Sequence, residues 1–374
     1  MIWFILIASL ISALVSVYVG WRMHLPSLFS KKLVWSYLFV AWLLATFAMV
    51  LRLWGITNDA VDMLAWFVYV NMGFFSLLCI AYLAIDIFHV LTRKIKPNPE
   101  RRQFMSSTVS LGVLGGVGIT TGIGFEQAVG GAIIKEVHVP LGAPKALFDL
   151  KIVQFTDLHI GPMIKRDYVQ TLVQQMNDLD ADIIVMTGDL VDGSVFRLQA
   201  EVAPLAKLKA KHGKFFITGN HEYYSGAEDW IAEMRRLGFT VLLNAHELIE
   251  VNGAKLLLAG VTDYRADRHI ASHQSSPKKA MQDAPESDVK ILLAHQPKSI
   301  FEATQAGFDL QISGHTHGGQ YYPWNFLAKM ANPYIKGLHL HDNKTWIYVS
   351  PGTGYWGPPI RLGNEPEITV IRLA

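Results

Sequence analysis

The chain divides by its pattern of apolar and polar positions. Three long apolar runs come first: Met1 to Val19, Leu33 to Val50 and Met63 to Leu91. A hydrocarbon core needs about 20 apolar residues per helix, so each run predicts a transmembrane helix. A cleaved signal peptide opens on positive charge and closes on small residues. The first run instead opens uncharged and closes on Trp21-Arg22-Met23-His24, which favours a span. The third is interrupted by Asn71 and Ser76, and by Asp86 and His89 near its end. A fourth stretch, Phe104 to Phe125, is uncharged but rich in Gly, Ser and Thr. Its Gly112/Gly116 and Gly118/Gly122 pairs have the small-xxx-small spacing that permits close helix contact in a bilayer. The Lys-Ser/Thr that a phosphate-binding P-loop needs is missing.

From about Ile133 the pattern changes to short apolar runs alternating with helical spacing. Lys151 to Phe155 predicts a strand, and Lys165 to Leu179 a helix facing inward through Val169, Leu172, Val173 and Met176. Ile183 to Met186 is a second strand, a helical pattern runs through Leu205-Leu208, and Phe215 to Ile217 is a third strand. Such alternation predicts an α/β domain with helices packed on sheets. Later segments are more strand-like. Leu248 to Val251 and Lys255 to Leu258 flank Asn252-Gly253, a hairpin signal. Lys290 to Leu293, Leu310 to Ile312, Trp346 to Val349 and Ile368 to Ile371 follow. The expected organisation is three transmembrane helices over 1–92, a basic loop plus the fourth apolar segment over 93–132, and the α/β domain over 133–374.

Composition adds the contrast between the parts. Hydrophobic residues make up 51% and charged residues 17%, with the excess in the first third. A net charge of +2 gives no case for a nucleic-acid partner. Cys79 is the single cysteine, which excludes a disulfide framework and a cysteine metal site. Charge position also sets topology, because Lys and Arg in short loops mark the cytoplasmic side. Arg22, Lys31 and Lys32 occupy the first loop, and Arg93, Lys94, Lys96, Arg101 and Arg102 the third. The second holds Asp59 and Asp62, with no Lys or Arg beyond Arg52. The N-terminus is therefore expected outside, and the α/β domain outside too if the fourth segment crosses. Glu100-Arg101-Arg102-Gln103-Phe104-Met105 before that segment resembles a twin-arginine export signal, and reads equally well as a positive-inside flank.

The candidate chemistry gathers at strand ends. Asp157, Asp189, Asn220, His295 and His315 each lie one to three residues past an apolar strand. Ligands of open α/β sheets bind in the crevice outside those ends. In chain order the motifs are Asp157-Leu158-His159, Gly188-Asp189, Gly219-Asn220-His221-Glu222, His295 and Gly314-His315-Thr316-His317. Together they resemble the calcineurin-like metallophosphoesterases, whose D-x-H, GD, GNH[DE], H and GHxH elements all occur in order over about Lys151 to Gln320. GDLVD and GHTHGGQ are similar to the membrane-anchored bacterial branch.

The resemblance implies a four-layer α-β-β-α sandwich with two mixed sheets and a hydrolase acting on phosphate mono- or diesters. It implies two divalent ions, with Asp189 bridging, Asp157, His159 and His317 completing one site, and Asn220, His295 and His315 the other. Mixed nitrogen and oxygen donors suit Mn, Fe, Zn or Co. Two ions about 3.5–4 Å apart clamp the attacking and leaving oxygens and activate a bridging hydroxide. His221 is implied to assist the leaving group, and Glu222 either orients a histidine or starts a helix. The glycines before ligands suit sharp turns and close approach. Gly318-Gly319 could turn amides toward phosphate. Tyr355 to Arg361 is a packed connection or a substrate wall with Arg361 on phosphate. His269, His273, Lys278 and Lys279 read as a solvated loop or an anion contact, and His339 and His341 as exposed. A non-catalytic scaffold on this fold would be expected to lose ligands, and none is lost. A transporter would carry more charged or broken helices. Tethering by several spans favours lipid-linked phosphates among the substrates.

Overall fold

The computed structural model describes residues 2–25, 31–54, 56, 58–91 and 99–374. The basic loop with Arg93, Lys94 and Lys96 lies outside the described residues, as do the side chains of Arg52, Arg101 and Arg102. The chain forms two compact units, one of Met1–Glu126 with Gly357–Ile360, the other of Gln127–Trp356 with Arg361–Ala374.

The first unit holds α1 (Ile2–Arg22), α2 (Lys31–Leu53), α3 (Asp59–Leu91) and α4 (Pro99–Val129). All four are long and apolar enough to cross a membrane. The polar interruptions have partners. Asp86 of α3 accepts from Tyr18 Oη at 2.7 Å and pairs with Arg22 Nη2 of α1 at 2.5 Å, so each charge offsets the cost of the other in an apolar setting. Asn71 accepts from Tyr37 of α2. The expected close contact through Gly112, Gly116, Gly118 and Gly122 is not made. A Cβ at any of them would meet nothing within 4 Å among the described residues. Close approach occurs at Gly20 instead, where a Cβ would stand 2.7 Å from Leu38 Cδ1.

The second unit alternates as the periodicity predicts. Its first half runs β1 (Ile133–Val139), β2 (Ile152–Phe155), α5 (Arg166–Asp178), β3 (Ile183–Met186), α6 (Val195–Val202), β4 (Lys214–Phe216), α7 (Asn220–Ser225), α8 (Ala227–Arg236) and β5 (Thr240–Val241). Its second half runs β6 (Ala245–Val251), β7 (Ala254–Gly260), α9 (Pro277–Ala280), β8 (Val289–Leu293), α10 (Ile300–Ala306), β9 (Leu310–Ser313), α11 (Trp324–Ala331), β10 (Gly337–His341), β11 (Thr345–Val349) and β12 (Glu367–Leu373).

These strands form two six-stranded mixed sheets, ordered β1-β12-β2-β3-β4-β5 and β10-β11-β9-β8-β7-β6. Successive side chains of a strand point to opposite faces, which produces the layers. Ile183 and Val185 face the second sheet, where they meet Leu256, Leu258, Ile291 and Ile312. Ile184 and Met186 face the helices and pack with Leu172, Met176, Trp230 and Met234. On the far side, Ala259 and Leu292 pack with Ala280 and Ala303. Helices, sheet, sheet and helices make the four-layer α-β-β-α sandwich. Burial on both faces explains why β2, β3, β8 and β9 read as short, largely apolar runs. β1 pairs in parallel with β12, Ile133 opposite Glu367, and β12 pairs antiparallel with β2.

Candidate metal centre

The C-terminal ends of β2, β3, β4, β8 and β9 deliver the side chains. Asp157 and His159 follow β2, Asp189 follows β3, Asn220 and His221 open α7 after β4, His295 follows β8, and His315 and His317 follow β9. All eight candidates therefore reach one rim. Asp157, His159, Asp189, His315 and His317 have φ values of 53°, 50°, 55°, 73° and 50°. Residues with side chains avoid this left-handed region, at a cost of about 1–3 kcal/mol each. Five such residues on one rim indicate backbone strain held for a purpose.

The glycines before the ligands act mainly through space. Gly188 alone of the three has a positive φ, 94°. A Cβ at Gly219 would lie 2.3 Å from Asp189 Oδ1, and one at Gly314 would lie 2.1 Å from Asp157 Oδ2. Gly318 and Gly319 do not aim amides at a ligand, since Gly318 N donates to Thr316 Oγ1 and Gly319 N to Thr316 O.

The side chains form three groups that could hold a metal ion: Asp157, His159 and His317; His159, Asp189 and His221; and Asp189, His295 and His315. Asp189 Oδ2 stands between them, 3.2 Å from His295 Nε2 and 3.9 Å from both His159 Nε2 and His221 Nε2. Tautomers follow from the outer nitrogens. His295 Nδ1 donates to Thr187 O at 2.8 Å, and His159 Nδ1 donates to Asp192 Oδ1 at 3.1 Å. Their Nε2 atoms point inward, and in the neutral rings those atoms carry the lone pairs.

His159 Nε2 lies 3.0 Å from His317 Nε2, and His295 Nε2 lies 3.2 Å from His315 Nδ1. Metal–nitrogen bonds of about 2.1 Å can span such separations. Arg361 Nη2 approaches His317 Nδ1 at 3.0 Å, which leaves the proton of that ring on Nε2 toward His159. Asn220 Oδ1 is buried with no hydrogen-bond partner. An orphaned buried carbonyl is costly, and a neutral oxygen donor to a cation is the chemistry that would satisfy it.

Electrostatics agrees with this donor set. Burial pushes the Asp189 carboxyl up, but the charges of His295 and His221, a hydrogen bond from His295 and the charge of His159 hold it well below its ordinary value. Burial pushes His295 down, and the charge of Asp189 together with its hydrogen bond outweighs this and raises it to about 10. A proton on His295 thus balances the buried Asp189 carboxylate, and a cation at this place would have to replace that proton.

Asp192 is the participant that motif reading leaves without a role, although it ends the GDLVD segment. Its Oδ1 accepts from His221 Nδ1 at 2.5 Å as well as from His159 Nδ1, so one carboxylate orients both rings. Glu222 orients no histidine. Fully buried, it accepts from Gly219 N at 2.6 Å, Leu190 N at 2.8 Å and Asp189 N at 3.0 Å, capping α7 and clamping the Asp189 loop. Arg361 does not face a phosphate. It is fully buried, and donates to the carbonyls of His317, Pro351 and Gly354.

The wall beside His221 is aromatic. Trp356 and Tyr224 pack on its ring at 5.8 and 5.3 Å, and His269 packs on Tyr224 at 5.4 Å. His273 hydrogen-bonds Tyr223, while Lys278 and Lys279 are exposed on α9. His339 is exposed as expected. His341 is buried, because Phe301 of α10 and Tyr334 pack over it.

Comparison with known proteins places this site in context. The family description "Calcineurin-like phosphoesterase" matches residues 150–319. An uncharacterized metallophosphoesterase of Helicobacter pylori (strain ATCC 700392 / 26695) is 39% identical over 251 residues, which is 67% of this chain and 66% of that protein. Its counterpart in strain J99 / ATCC 700824 is 36% identical over 287 residues, 76% of each chain. A "transmembrane protein with metallophosphoesterase domain" of Bos taurus is 36% identical over 293 residues, 75% of this chain and 64% of that one. The chain thus spans about two thirds of the first and third of these relatives.

Proposed function

The chain belongs to the calcineurin-like phosphoesterase family, and from that membership we propose that it is a membrane-anchored, two-metal phosphoesterase acting on phosphate mono- or diesters. The observation that carries this reading is the convergence of the inward Nε2 atoms of His159 and His295, the Asp189 carboxylate between them and the unpartnered Asn220 Oδ1.

Asp157, His159 and His317 would hold one ion, Asn220, His295 and His315 the other, and Asp189 would touch both. Bound divalent ions supply an activated water and a Lewis-acid clamp on the phosphoryl oxygens. The protein's own groups do the rest. Asp192 holds the proton of His221 on Nδ1 or, once the ring is charged, stabilises the imidazolium. His221 is then set to give a proton from Nε2 to the leaving oxygen. Trp356 and Tyr224 flank that position, each at an edge-type angle to the ring.

The catalytic domain would lie on the outer side of the cytoplasmic membrane. Four apolar helices and the basic loop residues Arg22, Lys31 and Lys32 support that orientation. The Arg101-Arg102 segment would then direct export of a domain that already carries its metal.

The test uses the full chain in detergent, stripped by chelator. Aryl phosphate hydrolysis should vanish, return with Mn, Fe, Zn or Co, and be absent from Asp189→Ala along with bound metal. Failure of all four metals to give activity would overturn the proposal.

A further inference from the structure

The second unit exposes large apolar side chains singly over most of its surface, as at Phe148, Phe196 and Phe301. Scattered exposure of that kind is ordinary. The segment around α11 differs. Within nine residues it exposes Tyr322, Trp324, Phe326, Leu327 and Met330, with Met330 84% and Phe326 58% exposed. Only Asn325 of this helix is buried, and it docks on the turn that carries His317. A Cβ at Gly319, two residues past His317, would lie 2.2 Å from Asn325 Cα. So α11 docks beside the metal centre with Asn325 as its buried residue and turns most of its apolar surface outward.

We infer that α11 is a membrane-docking helix, which seats Trp324, Phe326, Leu327 and Met330 in the interfacial layer of the bilayer and so presents the metal centre to phosphate esters carried on lipids. This rests on the phosphoesterase reading for its substrate, but the docking itself does not. The occupant is a bilayer because the same chain carries helices fit to cross one, and only residues 130–132 join α4 to β1. Three residues of backbone keep the start of β1 near the end of α4. Composition agrees: Trp and Tyr are the residues of the interface, and an exposed Lys329 on the same helix can extend its ammonium to headgroups. Amphipathic helices with Trp, Phe and Leu on one face and basic residues on the other lie in that layer.

The test places full-length protein, with Cys79→Ser, in vesicles of phosphatidylethanolamine and phosphatidylglycerol. An environment-sensitive dye is attached at Met330→Cys, and in a second sample at Phe196→Cys, which is 98% exposed elsewhere on the domain. The Met330 dye should be quenched by doxyl-labelled lipid and protected from aqueous iodide, with the reverse at Phe196. Equal iodide quenching at both would overturn docking. Shielding from iodide without lipid quenching would put a protein on this face, and would overturn it too.

The second arm pairs Phe326→Asp with Met330→Asp. Hydrolysis of phosphatidic acid in the vesicles should fall about tenfold, the change that 1.4 kcal/mol of interfacial affinity produces, while soluble aryl phosphate hydrolysis holds. Equal change in both, or none in either, would overturn delivery to lipid. If the native chain hydrolyses no aryl phosphate, the phosphoesterase reading fails, and the dye measurements still decide the docking.

Discussion

Asp192 shows how a residue without a motif role can control two with one. Its single oxygen receives the Nδ1 protons of His159 and His221, so it sets the tautomer of a candidate ligand and of the candidate acid together. Asp192→Asn should lower kcat by about 10–100-fold, the usual cost of removing such a supporting partner. Metal content, read by mass spectrometry, should fall far less than in Asp189→Ala. An unchanged kcat would remove Asp192 from the machinery. The eight candidate residues are legible in sequence because each follows a strand end inside a recurring motif. Asp192 is not, because an aspartate three residues past Asp189 looks like ordinary loop polarity until the fold brings two rings onto it. Arg361 misleads for the opposite reason. An arginine closing an aromatic, proline-rich loop suggests anion binding, yet three backbone carbonyls in the interior take its donors.

Among elements, the site depends on how closely neighbouring strand ends approach. Gly314→Ala would put a methyl group 2.1 Å from Asp157 Oδ2 and 2.5 Å from Thr156 Oγ1, so Asp157 must move. A displacement near 1 Å costs about 100-fold in rate, and turnover at saturating metal should show that loss. Glu222 ties α7 to the turn after β3 through the amides of Asp189 and Leu190, and caps its own helix through Gly219 N. Glu222→Ala leaves those amides buried without acceptors and should destabilise the domain by about 3 kcal/mol, measured by denaturant unfolding. A value near zero would mean that solvent reaches the turn. Periodicity identifies most of these elements because buried strands are continuously apolar and α5 carries its inward stripe. β1, β5 and β10 are less legible. β5 has only two residues, and β1 and β10 are edge strands whose exposed positions break the apolar run.

For the whole molecule, the side of the membrane follows from the number of crossings. With the first loop inside, four crossings put the domain after Ala132 outside. A reporter fused after Ala132 should be active only outside the cytoplasm, and cytoplasmic activity would reverse the orientation. Sequence reading reaches the four apolar helices but not their pairing, since nothing local predicts that Asp86 meets Arg22, 64 positions away. The same holds for the sheet built on β12. That strand lies between β1 and β2, although almost the whole domain separates it from both in the chain. A ribosome emits β1 and β2 long before their common neighbour, so during synthesis both wait with open edges and the sheet cannot close strand by strand. Closure of the first sheet between β1 and β2 therefore waits for β12, and until it emerges those two edges are open to pairing with other chains.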